Sequence, residues 1–285
     1  MPTGPELRNY PAAMTIAGSD SGGGAGIQAD LRTFSYFRVF GTSAITAVTF
    51  QNPLEVSGIE PVSPDGVRAQ IRTVRQAVDL AAVKTGMLFS AEIIEAVTGS
   101  VRDFAGPLVV DPVMVSTSGR KLLRDDAIEA VRTRLLPEAD WITPNLPEAE
   151  VLTGREFKSG PDAVRAAREC ADRWGCSVVL KGGHAQGPEA GDVIVHQGHC
   201  LLLSSPRVPT AGNSDHGTGC TFSSALTAQL ALGTPWQDAL FRAKAFVLAS
   251  LARPVRLSDR AAGMFPPEED LSVFIRQITC REIES

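Results

Sequence analysis

Two features of the sequence predict an α/β fold in three layers, with helices on both faces of a mostly parallel central sheet. Short, continuously apolar segments such as Leu108-Val109-Val110 alternate with stretches whose apolar residues recur every three or four positions. The first pattern marks strands buried on both faces, and the second marks amphipathic helices. Polar residues also follow the ends of the apolar segments repeatedly, as where a parallel sheet presents its strand carboxyl ends to a ligand. A chain of 285 residues, 44% hydrophobic and 21% charged, accommodates this as one domain, placed at 13–280 behind a polar tail over 1–12 that is expected to be disordered.

The segment 13–17 reads as the first strand and runs into Gly18-Ser19-Asp20-Ser21-Gly22-Gly23-Gly24-Ala25-Gly26. Ile27, Leu31 and Phe34 then recur at helical spacing, so the glycines lie between a buried strand and an amphipathic helix, the place of a binding loop rather than a linker. Residues 43–50, rich in β-branched side chains, end at Gln51-Asn52-Pro53, where proline is expected to stop pairing. Val67, Ile71, Val74 and Val78 mark a helix, 81–84 a strand, and Ile93, Ile94, Val97 and Val101 a second helix. The strand 108–110 terminates at Asp111-Pro112, and a helix over 125–136 and a strand over 139–143 follow. Pro144-Asn145-Leu146-Pro147-Glu148 opens a short helix, and a helix over 161–174 precedes the strand 177–180 that delivers Lys181-Gly182-Gly183-His184. Residues 192–196 and 199–204 form a hairpin across Gln197-Gly198, which gives the sheet an antiparallel edge. Helices over 218–232, closed by Gly233, and over 235–252 come next, then a connection over 253–270 and a last helix over 271–278.

The turn Asp215-His216-Gly217-Thr218-Gly219-Cys220-Thr221 reads as an anion cradle at a helix start. Its glycines allow close backbone approach, Thr218 or Thr221 is placed to cap, and the first N–H groups and the helix dipole face negative charge. The same dipole is expected to lower the pKa of Cys220 and favour its thiolate. Two familiar phosphate motifs are absent: position 222 is Phe rather than the third glycine of a dinucleotide fingerprint, and no Lys follows Gly219 as a P-loop requires.

Asp20, Gln51, Lys84, Asp111, Asn145 with Glu148, and Lys181 all fall at or just beyond strand ends, so they are expected to converge on one cleft. Singly each has an ordinary explanation, Asp111 as a turn residue, Lys181 as a solvated charge, Glu148 as a first-turn carboxylate. Together they suit phosphoryl transfer, in which positioning and charge neutralisation carry most of the catalysis. Carboxylates and Asn offer hard oxygen ligands for Mg²⁺, Lys181 a point charge for a nucleotide phosphate, and helix N–H groups an oxyanion cradle. The net charge of -5 gives no general attraction to nucleic acid or anionic membrane. Five cysteines without short paired spacings argue against a disulfide framework or structural zinc, and with no apolar leader or 18-residue apolar run the expected location is the cytoplasm.

With these residues assembled, the chain resembles the hydroxymethylpyrimidine/phosphomethylpyrimidine kinases of thiamine biosynthesis, a branch of the ribokinase-like superfamily. The likeness covers about 13–251 and rests on Ala17 through Asp30, Gly41-Thr42-Ser43 through Gln51-Asn52, Val83-Lys84-Thr85-Gly86-Met87-Leu88, Asp111-Pro112-Val113-Met114, Thr143 through Glu150, Lys181-Gly182-Gly183-His184, and the turn from His216 to Thr221. The resemblance implies a ribokinase-like fold, and a substrate pocket that includes Gly18, Asp20, Gln51, Met87 and Val113. It implies ATP contacts from Lys181, Asn145 and Thr218, and Mg²⁺ organised by Asp111 and Glu148 with Asn145. Gly217, Thr218, Gly219 and Cys220 would form the catalytic anion hole, Cys220 standing where many superfamily relatives carry an Asp base. The implied reaction is ATP-dependent phosphorylation of the pyrimidine alcohol and then of its monophosphate, and a homodimer is expected. The family's glycine-rich C-terminal segment is replaced here by Ser258-Asp259-Arg260-Ala261-Ala262-Gly263-Met264-Phe265-Pro266-Pro267, and the loop 209–215 is longer than usual. A pyridoxal or pyridoxine kinase, and a pyrimidine-binding regulator without activity, are the alternative functions.

Overall fold

The computed structural model describes residues 8–114, 122–157, 160–182, 187–210 and 213–283. Residues 1–7 of the expected tail, Gly183 and His184 of the lysine motif, and 211–212 of the lengthened loop lie outside the described residues.

The order along the chain is β1 (Ala12–Asp20), α1 (Gly26–Tyr36), β2 (Phe40–Asn52), β3 (Glu55–Pro61), α2 (Pro64–Arg75), β4 (Leu80–Thr85), α3 (Ala91–Val101) and β5 (Leu108–Val110). Then come α4 (Asp125–Ala130), β6 (Trp141–Ile142), α5 (Leu146–Thr153), α6 (Gly160–Trp174), β7 (Ser177–Leu180), β8 (Glu189–His196), β9 (His199–Pro206), α7 (Thr218–Ala231) and α8 (Trp236–Ala252). The chain closes with β10 (Val255–Arg256), β11 (Ala262–Gly263), α9 (Ser272–Ile275) and β12 (Thr279–Glu282). A ten-stranded sheet runs in the order β12-β9-β8-β7-β6-β5-β4-β1-β2-β3. Pairing is parallel from β2 through β1, β4, β5 and β6 to β7, and antiparallel at both flanks.

Alternation along the strands builds two cores. Val110, Val178 and Leu180 face a cluster with Ile93, Ile94 and Val97 of α3 and Leu152 of α5. Their neighbours Val109 and Val179 point the other way, with Trp141, onto Phe222 and Leu226 of α7 and Leu240 and Phe246 of α8. Local chemistry sets the helix starts: Ser63 accepts from Gly66 N–H at 3.1 Å with Pro64 in the first turn of α2, and Ser90 caps α3. The β8–β9 hairpin turns at Gln197 and Gly198, both at positive φ.

Three expectations need correction. Pro53 does not end pairing, because it sits in the connection between two strands and β3 pairs back on β2; the antiparallel flank beyond β2 was therefore not foreseen. The helix expected over 125–136 changes pitch, with α4 passing into a π-helical turn over Val131–Leu135 and a 3₁₀ turn over Leu136–Glu138. The last helix shortens to α9 because the chain then extends as β12, whose backbone pairs with the otherwise open edge of β9.

Candidate active site

One group of polar residues grows from the end of β1. The Asp20 carboxylate accepts from Gly22 N–H at 2.8 Å, Gly24 N–H at 3.0 Å and Ala25 N–H at 2.8 Å, so one buried side chain shapes the glycine loop. Gln28 locks the same corner, accepting from Asp20 N–H at 2.9 Å and donating to Ser19 Oγ at 2.7 Å. His216 Nε2 lies 3.1 Å from Asp20 Oδ2 and 2.8 Å from Gln51 Nε2, which links the turn before α7 to the ends of β1 and β2. Burial pushes the Asp20 carboxyl up, but the bonds from His216, Ala25 and Gly22 outweigh it and hold the group below its ordinary value. Met87 packs against Gly18, where an added Cβ would stand 2.5 Å from Met87 Cε, and shares an apolar patch with Ala47, Leu122 and Val113. Gly18, Asp20, Gln51, Met87 and Val113 thus lie around one end of the sheet.

A second group centres on Asp111, just past β5. Its Oδ1 accepts from Lys181 Nζ at 2.8 Å and Thr143 Oγ1 at 3.1 Å, and its Oδ2 from Ser223 Oγ at 3.2 Å. Gly219 lies against this group: a Cβ there would stand 3.1 Å from Lys181 Nζ and 3.7 Å from Asp111 Oδ2. Asn145 and Glu148 form a capping box at the start of α5, Asn145 Oδ1 accepting from Glu148 N–H at 2.9 Å and Glu148 Oε2 from Asn145 N–H at 2.8 Å. Burial, reinforced by Asp111 and opposed by Lys181, pushes the Glu148 carboxyl up to about 7. Burial disfavours the Lys181 ammonium, yet Asp111 and Glu148 raise its pKa overall.

Between the two groups, Gly217 begins α7 at φ 86, and a Cβ there would overlap Gly24 O. The glycine loop and the helix start therefore touch, backbone to backbone. The expected cap is corrected: neither Thr218 nor Thr221 caps α7, for Gly217 occupies the cap position with no side-chain bond among the described residues. The expected thiolate is corrected as well. Burial pushes the Cys220 thiol up to about 11, and the opposing pull of Lys84 does not compensate for that desolvation and for Asp30 and Asp111.

Lys84 does not open into the cleft. It lies inside β4, fully buried, 2.8 Å from Asp30 Oδ2, which also accepts from Thr15 Oγ1 at 2.6 Å. Sequence reasoning missed Thr143 and Ser223 as partners of Asp111, since hydroxyl residues one strand and one helical turn away carry no signature of a shared partner. The divergent C-terminal segment reaches the glycine loop through Arg32, which donates to Gly23 O and lies 5.9 Å from the Phe265 ring. Among the described residues no group of three or more His, Cys, Asp or Glu could hold a metal, and no helix is long and apolar enough to cross a membrane.

A family described as Phosphomethylpyrimidine kinase matches residues 20–264. The hydroxymethylpyrimidine/phosphomethylpyrimidine kinase of Haemophilus influenzae is 45% identical over 256 residues, covering 88% of this chain and 94% of that protein. The thiamine biosynthesis bifunctional protein ThiED of Geobacter sulfurreducens is 42% identical over 247 residues, 86% of this chain and 50% of that protein. Among solved structures, pyridoxal kinase from Staphylococcus aureus in complex with AMP-PCP and pyridoxal superposes with a TM-score of 0.84 at 31% identity, covering 97% of this chain and all of that one, 100%.

Proposed function

The chain belongs to the phosphomethylpyrimidine kinase family, and from that premise we propose that it transfers the γ-phosphoryl group of ATP to 4-amino-5-hydroxymethyl-2-methylpyrimidine and then to the monophosphate so formed, in thiamine biosynthesis. The observation that carries this reading is the contact of the glycine loop with the start of α7, which sets Asp20, Gln51 and His216 beside the backbone cradle of Gly217, Thr218 and Gly219. We assign Gly18, Asp20, Gln51, Met87 and Val113 to the pyrimidine, and Lys181, Asn145 and Thr218 to ATP. One catalytic domain over 13–280, a cytoplasmic location and a homodimer complete the proposal; exposed Phe40, Val48, Phe50 and Leu54 support the last.

In the first transfer the hydroxymethyl oxygen attacks the γ-phosphorus, its proton passes to Cys220 in the thiolate form that is the minor one below a pKa of about 11, and the bond from the γ-phosphorus to the bridging oxygen breaks to release ADP. The turn over Gly217, Thr218 and Gly219 is assigned to the charge that develops, the Thr218 N–H being bonded to Asp215 O at 3.3 Å before substrate arrives, and Lys181 supplies a fixed cation. In the second transfer the attacking atom is a phosphate oxygen, already ionised at neutral pH, so no side chain need remove a proton. Asp111 and Glu148 fit Mg²⁺, which binds one or two carboxylates, keeps several waters and shares substrate phosphates. Burial, with Asp111 adding to it, disfavours the ionised Glu148 carboxylate, a cost that a cation would relieve. When bound, Mg²⁺ would neutralise the phosphates.

The test is ATP consumption by the purified chain with the pyrimidine alcohol, with pyridoxal and with no acceptor, the products resolved by chromatography. Sequential mono- and diphosphate from the pyrimidine is expected. A higher kcat/KM on pyridoxal would overturn the assignment in favour of the kinase whose structure superposes so well, and binding without turnover would make the chain a pyrimidine-binding regulator.

A further inference from the structure

We infer that a buried ion pair, Asp192 on β8 with Lys244 on α8, is a positioning device for Lys181. The inference rests on the reading of Lys181 as the cation that meets ATP phosphates. Asp192 Oδ2 lies 2.7 Å from Lys244 Nζ, and the two side chains are only 10% and 7% exposed. The other oxygen, Oδ1, accepts from the N–H of Gly182 at 3.0 Å, and Gly182 follows Lys181 directly. Each carboxylate oxygen has its own task.

The location explains why a side chain is needed. The antiparallel ladder of β7 with β8 pairs Val178 with Val195 and Leu180 with Val193, and stops there. Beyond it Lys181 keeps only a parallel bridge to Asn145 on the side away from β8, with its ammonium 2.8 Å from Asp111. On one side Lys181 N–H donates to Pro144 O at 2.8 Å. On the other, the Asp192 carboxylate accepts where the ladder no longer provides a carbonyl. Gly182 has no Cβ to spare here, since one would overlap Gly191 O. Lys244 makes the arrangement stable, because burying a carboxylate without a paired cation is costly. Releasing Gly182 leaves the Lys181 backbone held on one side only, and a displacement of about 1 Å at a positioning group costs about 10²-fold in rate.

Three variants and one measurement on the unaltered chain test this. D192N/K244M removes both charges but keeps an acceptor for Gly182 N–H; D192V/K244M removes the acceptor too, with a residue that suits a strand. With both folded by circular dichroism, the Val variant should show an ATP KM about tenfold above the Asn variant, the pyrimidine KM being the same in the two. ATP KM values within twofold of each other would overturn the inference. K181M separates this from its premise. If K181M leaves the ATP KM at wild type, the premise fails and the inference with it; if K181M raises the ATP KM while the pair variants do not differ, the inference alone fails. Should the Val variant not fold, hydrogen exchange decides: the Gly182 amide of the unaltered chain should be protected like the amides of β7, and exchange at the unprotected rate overturns the clamp.

Discussion

Cys220 shows how a single residue can be named from sequence and still be misjudged in its resting state. The helix dipole favours a thiolate, but desolvation is the larger effect and leaves a thiol with a pKa of about 11. If the thiolate accepts the substrate proton, kcat for the alcohol should climb about tenfold per pH unit between pH 7 and 9, since the ionised fraction grows so below the pKa. A flat profile, followed by initial rates, would dismiss the thiolate. Cys220→Ala should lose about 10²–10⁴ in kcat for the alcohol while sparing the monophosphate, whose attacking oxygen carries no proton. Equal losses on both acceptors would point to a structural thiol. At Glu148 the substitution to Gln preserves the capping box, because an amide oxygen can still accept from Asn145 N–H. Lower turnover with a Mg²⁺ requirement moved to higher concentration is therefore expected from Glu148→Gln, and a Mg²⁺ titration that overlays wild type would remove Glu148 from the metal.

At the scale of elements, the site depends on a strand-loop-helix unit meeting a second helix start. Gly217 is held at φ 86 and abuts Gly24 O, so Gly217→Ala combines left-handed strain with overlap. A loss of about 10² or more in kcat is expected from the displaced cradle. Steady-state kinetics on the folded variant checks this, and a value near wild type would show that the cradle tolerates the shift. The glycine loop was legible because glycines between an apolar strand and an amphipathic helix have few other uses. The partners that shape it were not, since Asp20, Gln51 and His216 come from three distant stretches of chain.

Across the whole molecule, the sheet survives because its edges are managed. Without β12, the strand β9 would present Leu201, Leu202, Leu203 and Ser204 as an open ladder. A chain ended after Ile278 should lose about 5 °C or more in Tm and aggregate faster on heating. Calorimetry and light scattering measure both, and an unchanged Tm would show β12 to be dispensable.

The alternation of apolar strands with amphipathic helices, the polar residues at strand ends and the glycine turns were determined by the sequence itself, because periodicity, turn chemistry and strand polarity are local properties. Tertiary structure alone decided the rest. It buried Lys84 against Asp30 of α1 rather than opening it into the cleft, gave Asp111 its hydroxyl partners, raised the Cys220 thiol, and bonded the Asp192 of the Asp192–Lys244 pair to the residue after Lys181. Burial and pairing depend on which distant segments meet, and an ionisable group takes its properties from those neighbours rather than from its place in the chain.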